Sequence, residues 1–337
     1  MTKIEKKQRR TALITGASAG IGRDYARYLA ARNFDLVLTA RRTDRLEAIA
    51  QELKAAFGTK VTVLTADLVE PDAPKKLAAS LKQSKINIDY LVNNAGYAVP
   101  GMFQDASWQA QSEMIQVMMT AVTEFCHIFA PQMAARGYGR IVNVASVAAF
   151  LPGTKGGTLY SPVKAYVMRL SQSLALEYKE HGVHVIGLCP GFTWSEFHDV
   201  AGNRGAMNKM PNFVWLEGPR VVDDAHLAVE KGKGPVVVNG LIYRALVGFL
   251  KIMPENLMTR LSGRGKRNRV AKPSDQKPAA KKPAVKKLTA KKPATKKPAT
   301  KKPAAKKPEM KKPVAKKSAA KKPATQKPAT QKPAAKK

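Results

Sequence analysis

The 337-residue chain is poor in cysteine, poor in acids over its last quarter, and without a long uninterrupted apolar run. Its two cysteines, Cys126 and Cys189, are too few for a disulfide framework and lack metal-ligand spacing. Both lie in apolar stretches (EFCHIF and IGLCPG), which reads as buried, inert thiols. The opening residues, MTKIEKKQRR, are charged and lead into TALITGA rather than a signal-type apolar stretch. With no apolar run of about 18 residues, no spanning helix is expected, and a cytoplasmic location is predicted.

Acids are scarcest from Arg264 onward. That stretch holds 28 lysines and arginines against two acids, Asp275 and Glu309, a net +26 of the whole chain's +35. It also holds 11 of the 22 prolines and no aromatic residue. A single domain of uniform composition is therefore excluded. Two parts are predicted: a folded unit over residues 1–263, and a basic low-complexity tail over 264–337 that cannot bury a core.

The first 240 residues alternate short β-rich apolar runs with longer amphipathic stretches. Strands are predicted at Ala12–Thr15, Asp35–Thr39, Val61–Ala66, Tyr90–Val92, Arg140–Val144, Val183–Leu188 and Pro235–Val238. Helices are predicted near Ile21–Arg32, Arg42–Phe57, Lys75–Gln83, Ser107–Arg136 and Ser161–His181. Such alternation implies right-handed crossovers and a parallel sheet covered on both faces. Ligands of such sheets bind at the carboxyl ends of the strands, so the chemistry is sought there.

The first strand ends in TGASAGIG, Thr15 to Gly22, and enters a helix. Small residues there let the backbone approach a pyrophosphate, and the helix start supplies free N–H groups. The spacing is G-x-x-x-G-x-G rather than the commoner G-x-G-x-x-G. The second strand closes in Ala40-Arg41-Arg42, about 20 residues on, where an acid would bind the 2′-hydroxyl of NAD. A guanidinium there suits the 2′-phosphate of NADP(H) instead, and Arg41 is the better placed. Asp67 follows the third strand and could accept from an adenine amino group, while Asn93-Asn94-Ala95-Gly96 closes the fourth. Tyr160 and Lys164 stand at i and i+4 in YSPVK and share a helix face. An ammonium beside a phenol favours the phenolate and lowers its pKa, so the pair can exchange a proton with a reacting oxygen. Ser146 ends the fifth strand in IVNVAS and could hold the same oxygen.

Taken in order, TGASAGIG, Asp67, NNAG, Ser146, YSPVK and Cys189-Pro190-Gly191 resemble the motif series of the short-chain dehydrogenase/reductase family, over roughly Arg10 to Gly240. The resemblance implies an α/β fold: a Rossmann-like, doubly wound parallel sheet of about seven strands. It also implies hydride transfer between NADP(H) and a small-molecule carbonyl or alcohol. By position, Tyr160 matches the family's acid/base and Ser146 the residue that orients the substrate oxygen. Lys164 matches the lysine that binds the nicotinamide ribose and lowers the tyrosine pKa. Gly16, Ser18, Gly20 and Ile21 match the cofactor loop, Asn94 the turn beside the cofactor, and Pro190 and Gly191 the residues flanking the nicotinamide. Relatives are often dimers or tetramers, so a homo-oligomer is expected.

Two positions depart from the family pattern. Met118 stands where relatives carry an asparagine that supports a water-linked proton relay to the lysine. Pro162 replaces a small residue, which a first helical turn tolerates because its N–H groups lack partners. The segment Phe192–Pro219, with Trp194, Phe197, Met207, Met210, Phe213 and Trp215, occupies the place of a substrate lid. Its apolar, aromatic character suits a lipophilic or acyl-type carbonyl compound, or simple packing on the sheet. Leu241–Met253 and the MTRL stretch after it form an apolar pair of segments. They are expected to pack on the enzyme, with a dimer contact or a membrane surface as alternatives.

From Gln276 to Ala335 the tail repeats in fives (KKPAT, KKPAA and variants) for twelve units. Frequent proline and like charge predict extended disorder, and the composition resembles the lysine-rich tail of linker histones. A mobile polycation binds nucleic acid through phosphate neutralisation without reading sequence. Anionic lipid headgroups are the rival partner, and a solvated spacer the third reading. A catalytically weakened protein acting through this tail is the alternative to an enzyme.

Overall fold

The computed structural model describes residues 9–153, 156–197, 205, 210–254 and 256–259. The predictions made for the tail, and for Met207, lie outside the described residues.

Seven strands form one parallel sheet: β1 Thr11–Thr15, β2 Asp35–Thr39, β3 Val61–Val63, β4 Tyr90–Asn93, β5 Gly139–Val144, β6 Val183–Cys189 and β7 Val236–Val238. Their spatial order is β3-β2-β1-β4-β5-β6-β7, and every pairing is parallel. The doubly wound architecture expected from the sequence is thus present. The order reverses direction between β1 and β4, which opens a crevice at their carboxyl ends.

Alternate residues along each strand feed opposite faces. Ile14, Leu36, Leu38, Val92 and Val142 meet Tyr25 and Leu29 of α1 (Gly20–Ala30), Leu46 and Leu53 of α2 (Thr43–Phe57), and Val221 and Ala225 of a later helix, Gly218–Glu230. Leu13, Val37, Leu91 and Ile141 meet Leu77 of α3 (Ala73–Gln83), Phe125 and Phe129 of α5 (Ala121–Ala135), and Val163 of α6 (Tyr160–Tyr178). Each such side chain taken fully from water contributes about 1.5–3 kcal/mol, so the two layers together fix the register of the sheet.

The segment preceding β5 is a composite. It runs as α4 (Trp108–Ile115), a five-residue π turn at Gln116–Thr120, and α5. Contrary to the sequence expectation, Trp108–Ala135 is long and apolar enough to cross a membrane, its richest window having a mean hydropathy of 1.2. Half of that window is buried, with Met114, Met118, Phe125, Phe129 and Met133 in the layer described above. Its apolar character serves the core. After β6 come α7, the helix Gly218–Glu230, then β7, and then α8 (Leu241–Ile252), which stands beside the carboxyl edge of the sheet.

β3 stops at Val63, three residues short of the predicted end. Leu64 and Ala66 still donate N–H bonds to Leu38 and Ala40, so the backbone runs alongside β2 at this sheet edge without full strand geometry.

Candidate active site

The glycine turn closes β1 for steric reasons that can be read residue by residue. Gly16 and Gly20 have φ of 65° and 53°, in the left-handed region that glycine enters at little cost. A Cβ on Gly22 would lie 2.4 Å from the Gly16 carbonyl oxygen and 2.5 Å from Asn94 Nδ2. Helix α1 then starts at Gly20 with Ala19 as its N-cap, no side-chain cap and no acid in its first turn. Its leading N–H groups, at the crevice where the strand order reverses, suit a phosphate. Glycine cradle, uncapped helix start and flanking arginines together fit a dinucleotide.

Asn94 does more than line this turn. Its Nδ2 donates to the carbonyls of Thr15 (3.0 Å) and Gly16 (3.2 Å), tying the β4 end to the glycine turn. Thr15, which sequence reasoning passed over, completes the clamp: its Oγ1 accepts from the N–H groups of Asn94 and Ala95 and donates to Val92 O. Asp67 is exposed just past β3, with Oδ1 accepting from Val69 N–H at 3.1 Å.

The sequence points to Arg41, and the structure adds Arg42. Arg42 Nη2 and Nε lie 3.0 and 3.3 Å from Ser18 Oγ, so this guanidinium rests on the glycine turn itself. Its Nη1 and Arg45 Nη1 both donate to Glu196, which holds that carboxylate below its usual range. Arg41 is exposed and has no hydrogen bond among the described residues.

Ser146, Tyr160 and Lys164 converge at the carboxyl edge of β5 and β6. Ser146 caps the 3-10 turn Val147–Phe150, accepting from Ala148 N–H at 3.1 Å. Its side chain faces the Tyr160 hydroxyl closely enough to favour the ionised phenol. Tyr160 opens α6, and Ser161 pins that helix start by donating to Ala148 O at 2.5 Å. Lys164 is 5% exposed; its Nζ donates to Val144 O at 2.7 Å and lies 5.8 Å from the centre of the Tyr160 ring. Pro162 falls in the first turn of α6, where it displaces no helical hydrogen bond.

Burial governs the titration of this pair. It pushes Tyr160 up to about 12, with the Ser146 side chain acting the other way, and brings Lys164 down to about 8. The expected lowering of the tyrosine by the lysine is therefore not what dominates here. The ammonium is turned to the Val144 carbonyl, and desolvation of both groups outweighs their attraction. Tyr160 is a phenol at neutral pH, able to give a proton. Cys189 is buried beside them, its thiol also pushed up by burial to about 12.

Met118 sits in the π turn, 1% exposed, with its thioether 3.3 Å from where a Gly96 Cβ would be. It fills the space behind the NNAG turn with apolar atoms and offers no amide to a relay. A second buried array went unnoticed in the sequence. Asn93 Nδ2 donates to Asn143 Oδ1 (2.8 Å), Asn143 Nδ2 to Ser171 Oγ (3.0 Å), and Ser171 Oγ to Val167 O (2.7 Å). These bonds lock β4, β5 and α6 together.

Pro190 is buried, its carbonyl accepting from Val147 N–H, and Gly191 meets the ring of Tyr243 from α8. A Cβ on Gly191 would fall 2.1 Å from that ring. The Tyr243 hydroxyl accepts from Phe192 N–H (3.1 Å) and donates to Val214 O (2.5 Å), so one side chain ties the backbone after β6 to the backbone before α7. Leu216 bridges Thr193 there, its carbonyl accepting from Trp194 N–H and its N–H donating to Phe192 O, while Trp194 stacks on Trp215 at 4.0 Å and Phe197 packs against Tyr160 at 5.6 Å. Gly191→Ala is accordingly expected to cost about 1–3 kcal/mol by overpacking. Thermal unfolding checks this, and the clash is removed in Gly191→Ala combined with Tyr243→Leu.

A doubly wound sheet, a glycine cradle at its switch point and a buried Ser–Tyr–Lys group define a dinucleotide-dependent oxidoreductase fold. The chain belongs to the short chain dehydrogenase family, whose model matches residues 10–203. The oxidoreductase UcpA of Salmonella typhimurium is 36% identical over 183 residues, 54% of this chain and 69% of that one. Among solved structures, a short-chain dehydrogenase from Sphingobium yanoikuyae in complex with NADPH is 33% identical with a TM-score of 0.65, covering 78% of this chain and 98% of that one. The bulky-bulky ketone specific alcohol dehydrogenase of Comamonas testosteroni is 29% identical with a TM-score of 0.62, covering 78% and 97%.

Proposed function

We propose that the chain is an NADP(H)-dependent reductase or dehydrogenase acting on a lipophilic carbonyl or alcohol. The observation that carries this reading is the convergence of Ser146, Tyr160 and Lys164 on the sheet edge beside the glycine cradle. When bound, the nicotinamide supplies or accepts the hydride. Tyr160 Oη gives the balancing proton to the carbonyl oxygen, and Ser146 Oγ donates a second hydrogen bond to it. Lys164 positions the cofactor ribose and keeps a positive charge near the tyrosine. Gly16, Ser18, Gly20 and Ile21 seat the pyrophosphate, Asp67 the adenine, and Asn94, Pro190 and Gly191 shape the nicotinamide end.

Two arginines at the close of β2, with no acid between them, favour the 2′-phosphate. Arg41→Ala is expected to weaken NADPH roughly 10- to 100-fold, the worth of one charge-assisted contact, and to leave NADH unchanged. Separate titrations of the two nucleotides by fluorescence check it. Equal affinity of the parent protein for both would overturn the NADP(H) assignment. The lid aromatics Trp194, Phe197 and Trp215 favour a bulky apolar substrate, in keeping with the bulky ketones named for the Comamonas testosteroni enzyme. A carbonyl screen with NADPH tests this. Turnover of bulky ketones is the expected result, and turnover confined to small polar aldehydes would contradict it.

A further inference from the structure

Helix α8 carries two apolar faces, and the enzyme uses only one. Tyr243 and Val247 are buried, Tyr243 packing on Gly191 and bonding Phe192 and Val214. On the other side Leu241, Ile242, Leu246, Phe249 and Ile252 are exposed by 81, 43, 42, 55 and 80%. At about 100° per residue these five fall within one arc of roughly 140°. Arg244 and Lys251 fall together on its flank, Arg244 bonded to Val238 O and Lys251 lying over the Phe150 ring. A monomeric soluble protein rarely leaves so continuous an apolar stripe in water.

The charge that accompanies this stripe decides what covers it. From Leu241 to Lys337 the chain has 31 lysines and arginines and three acids, Glu255, Asp275 and Glu309. A second copy would carry the same net charge of +35 and be repelled. A nucleic acid would satisfy the charge but offer no apolar phase to Phe249 and Ile252. The interface of an anionic bilayer accepts both: apolar side chains enter the acyl boundary while lysines and arginines meet the headgroups. We propose that the outer face of α8 is a docking surface for an anionic lipid membrane, assisted by the basic residues that flank and follow it. Through Tyr243 the same helix holds the Phe192 and Val214 backbones, so docking sets this side of the site at the lipid surface. On the substrate class proposed above, that is where a lipophilic carbonyl compound would partition.

Flotation of the full-length protein with vesicles of phosphatidylcholine, alone or mixed with phosphatidylglycerol, tests the proposal at about 0.15 M salt. Binding to the mixed vesicles is expected, with little to the neutral ones. The Leu246→Asp/Phe249→Asp variant, its tail intact, is expected to bind the mixed vesicles roughly tenfold more weakly or worse. Its NADPH affinity should match the parent's, which separates docking from the reductase reading. Leu241→Ser/Ile252→Ser, at the two most exposed positions, gives the same comparison should the first variant misfold. Equal flotation of variant and parent would assign binding to the tail alone and overturn the proposal. So would a parent that ignores vesicles, whether it binds duplex DNA instead or forms a dimer that the aspartates dissociate.

Discussion

Tyr160→Phe is expected to lower turnover by roughly 10²–10⁴-fold while leaving NADPH affinity within a factor of two or so. The change removes one oxygen, the one that faces Ser146. The ring itself remains packed against Phe197, so the site keeps its shape. A loss of that size corresponds to about 3–5 kcal/mol of transition-state stabilisation. It exceeds the 0.5–1.5 kcal/mol or so that a single structural hydrogen bond contributes, so a purely structural role cannot produce it. Since burial holds Tyr160 near 12, the hydroxyl stays protonated across neutral pH. The parent's rate of ketone reduction should therefore show no fall attributable to this group below about pH 10. Stopped-flow NADPH oxidation with parallel nucleotide titration measures both quantities. A phenylalanine variant of undiminished turnover would remove Tyr160 from the chemistry. Ser146→Ala, which leaves the proton donor in place, should cost less.

The two halves of this site differ in how far sequence alone could reach them. The glycine turn is legible because its requirements are local: Gly16, Gly20 and Gly22 are dictated by φ or by contacts within the turn and with Asn94. Tyr160 and Lys164 are legible because a helix makes i and i+4 neighbours. Thr15, the Asn93–Asn143–Ser171 array and Tyr243 are not, since each meets partners 28 to 80 positions away that no periodicity announces. The Lys164–Tyr160 electrostatics were misjudged for a related reason. Spacing says that the ammonium is near, but the Val144 carbonyl that receives it and the depth of burial emerge only from packing. Arg42 was ranked behind Arg41 because a linear motif cannot show that its side chain folds back onto Ser18. The apolar helix Trp108–Ala135 shows the converse: its composition resembles a membrane span, and only the sheet beside it identifies it as core.

Lys164→Met is expected to stabilise the cofactor-free protein while abolishing turnover. Below pH 8 the folded chain carries a buried ammonium whose pKa has fallen from 10.5 to about 8, a penalty of roughly 3 kcal/mol relative to the unfolded chain. Methionine has a similar length and carries no charge, so the penalty vanishes. The loss on the other side is one hydrogen bond to Val144 O, at about 1–2 kcal/mol. The net gain of about 1–2 kcal/mol corresponds to a midpoint some 2–6 °C higher at pH 7. The sign is fixed by the direction of the shift. Between pH 8 and 10.5 the unfolded chain holds a proton that the folded one has released, so the parent gains stability with rising pH there. The variant lacks this gain, so its advantage at pH 7 should shrink across that window and reverse by about pH 10, where the lost hydrogen bond outweighs what is left of the penalty. Thermal scans at pH 7 and pH 10 measure the effect. A methionine variant less stable than the parent at pH 7 would mean that the lysine is retained as a structural tie to β5. A more stable but inactive one would mark Lys164 as a residue kept, at a cost in stability, for the cofactor and the proton.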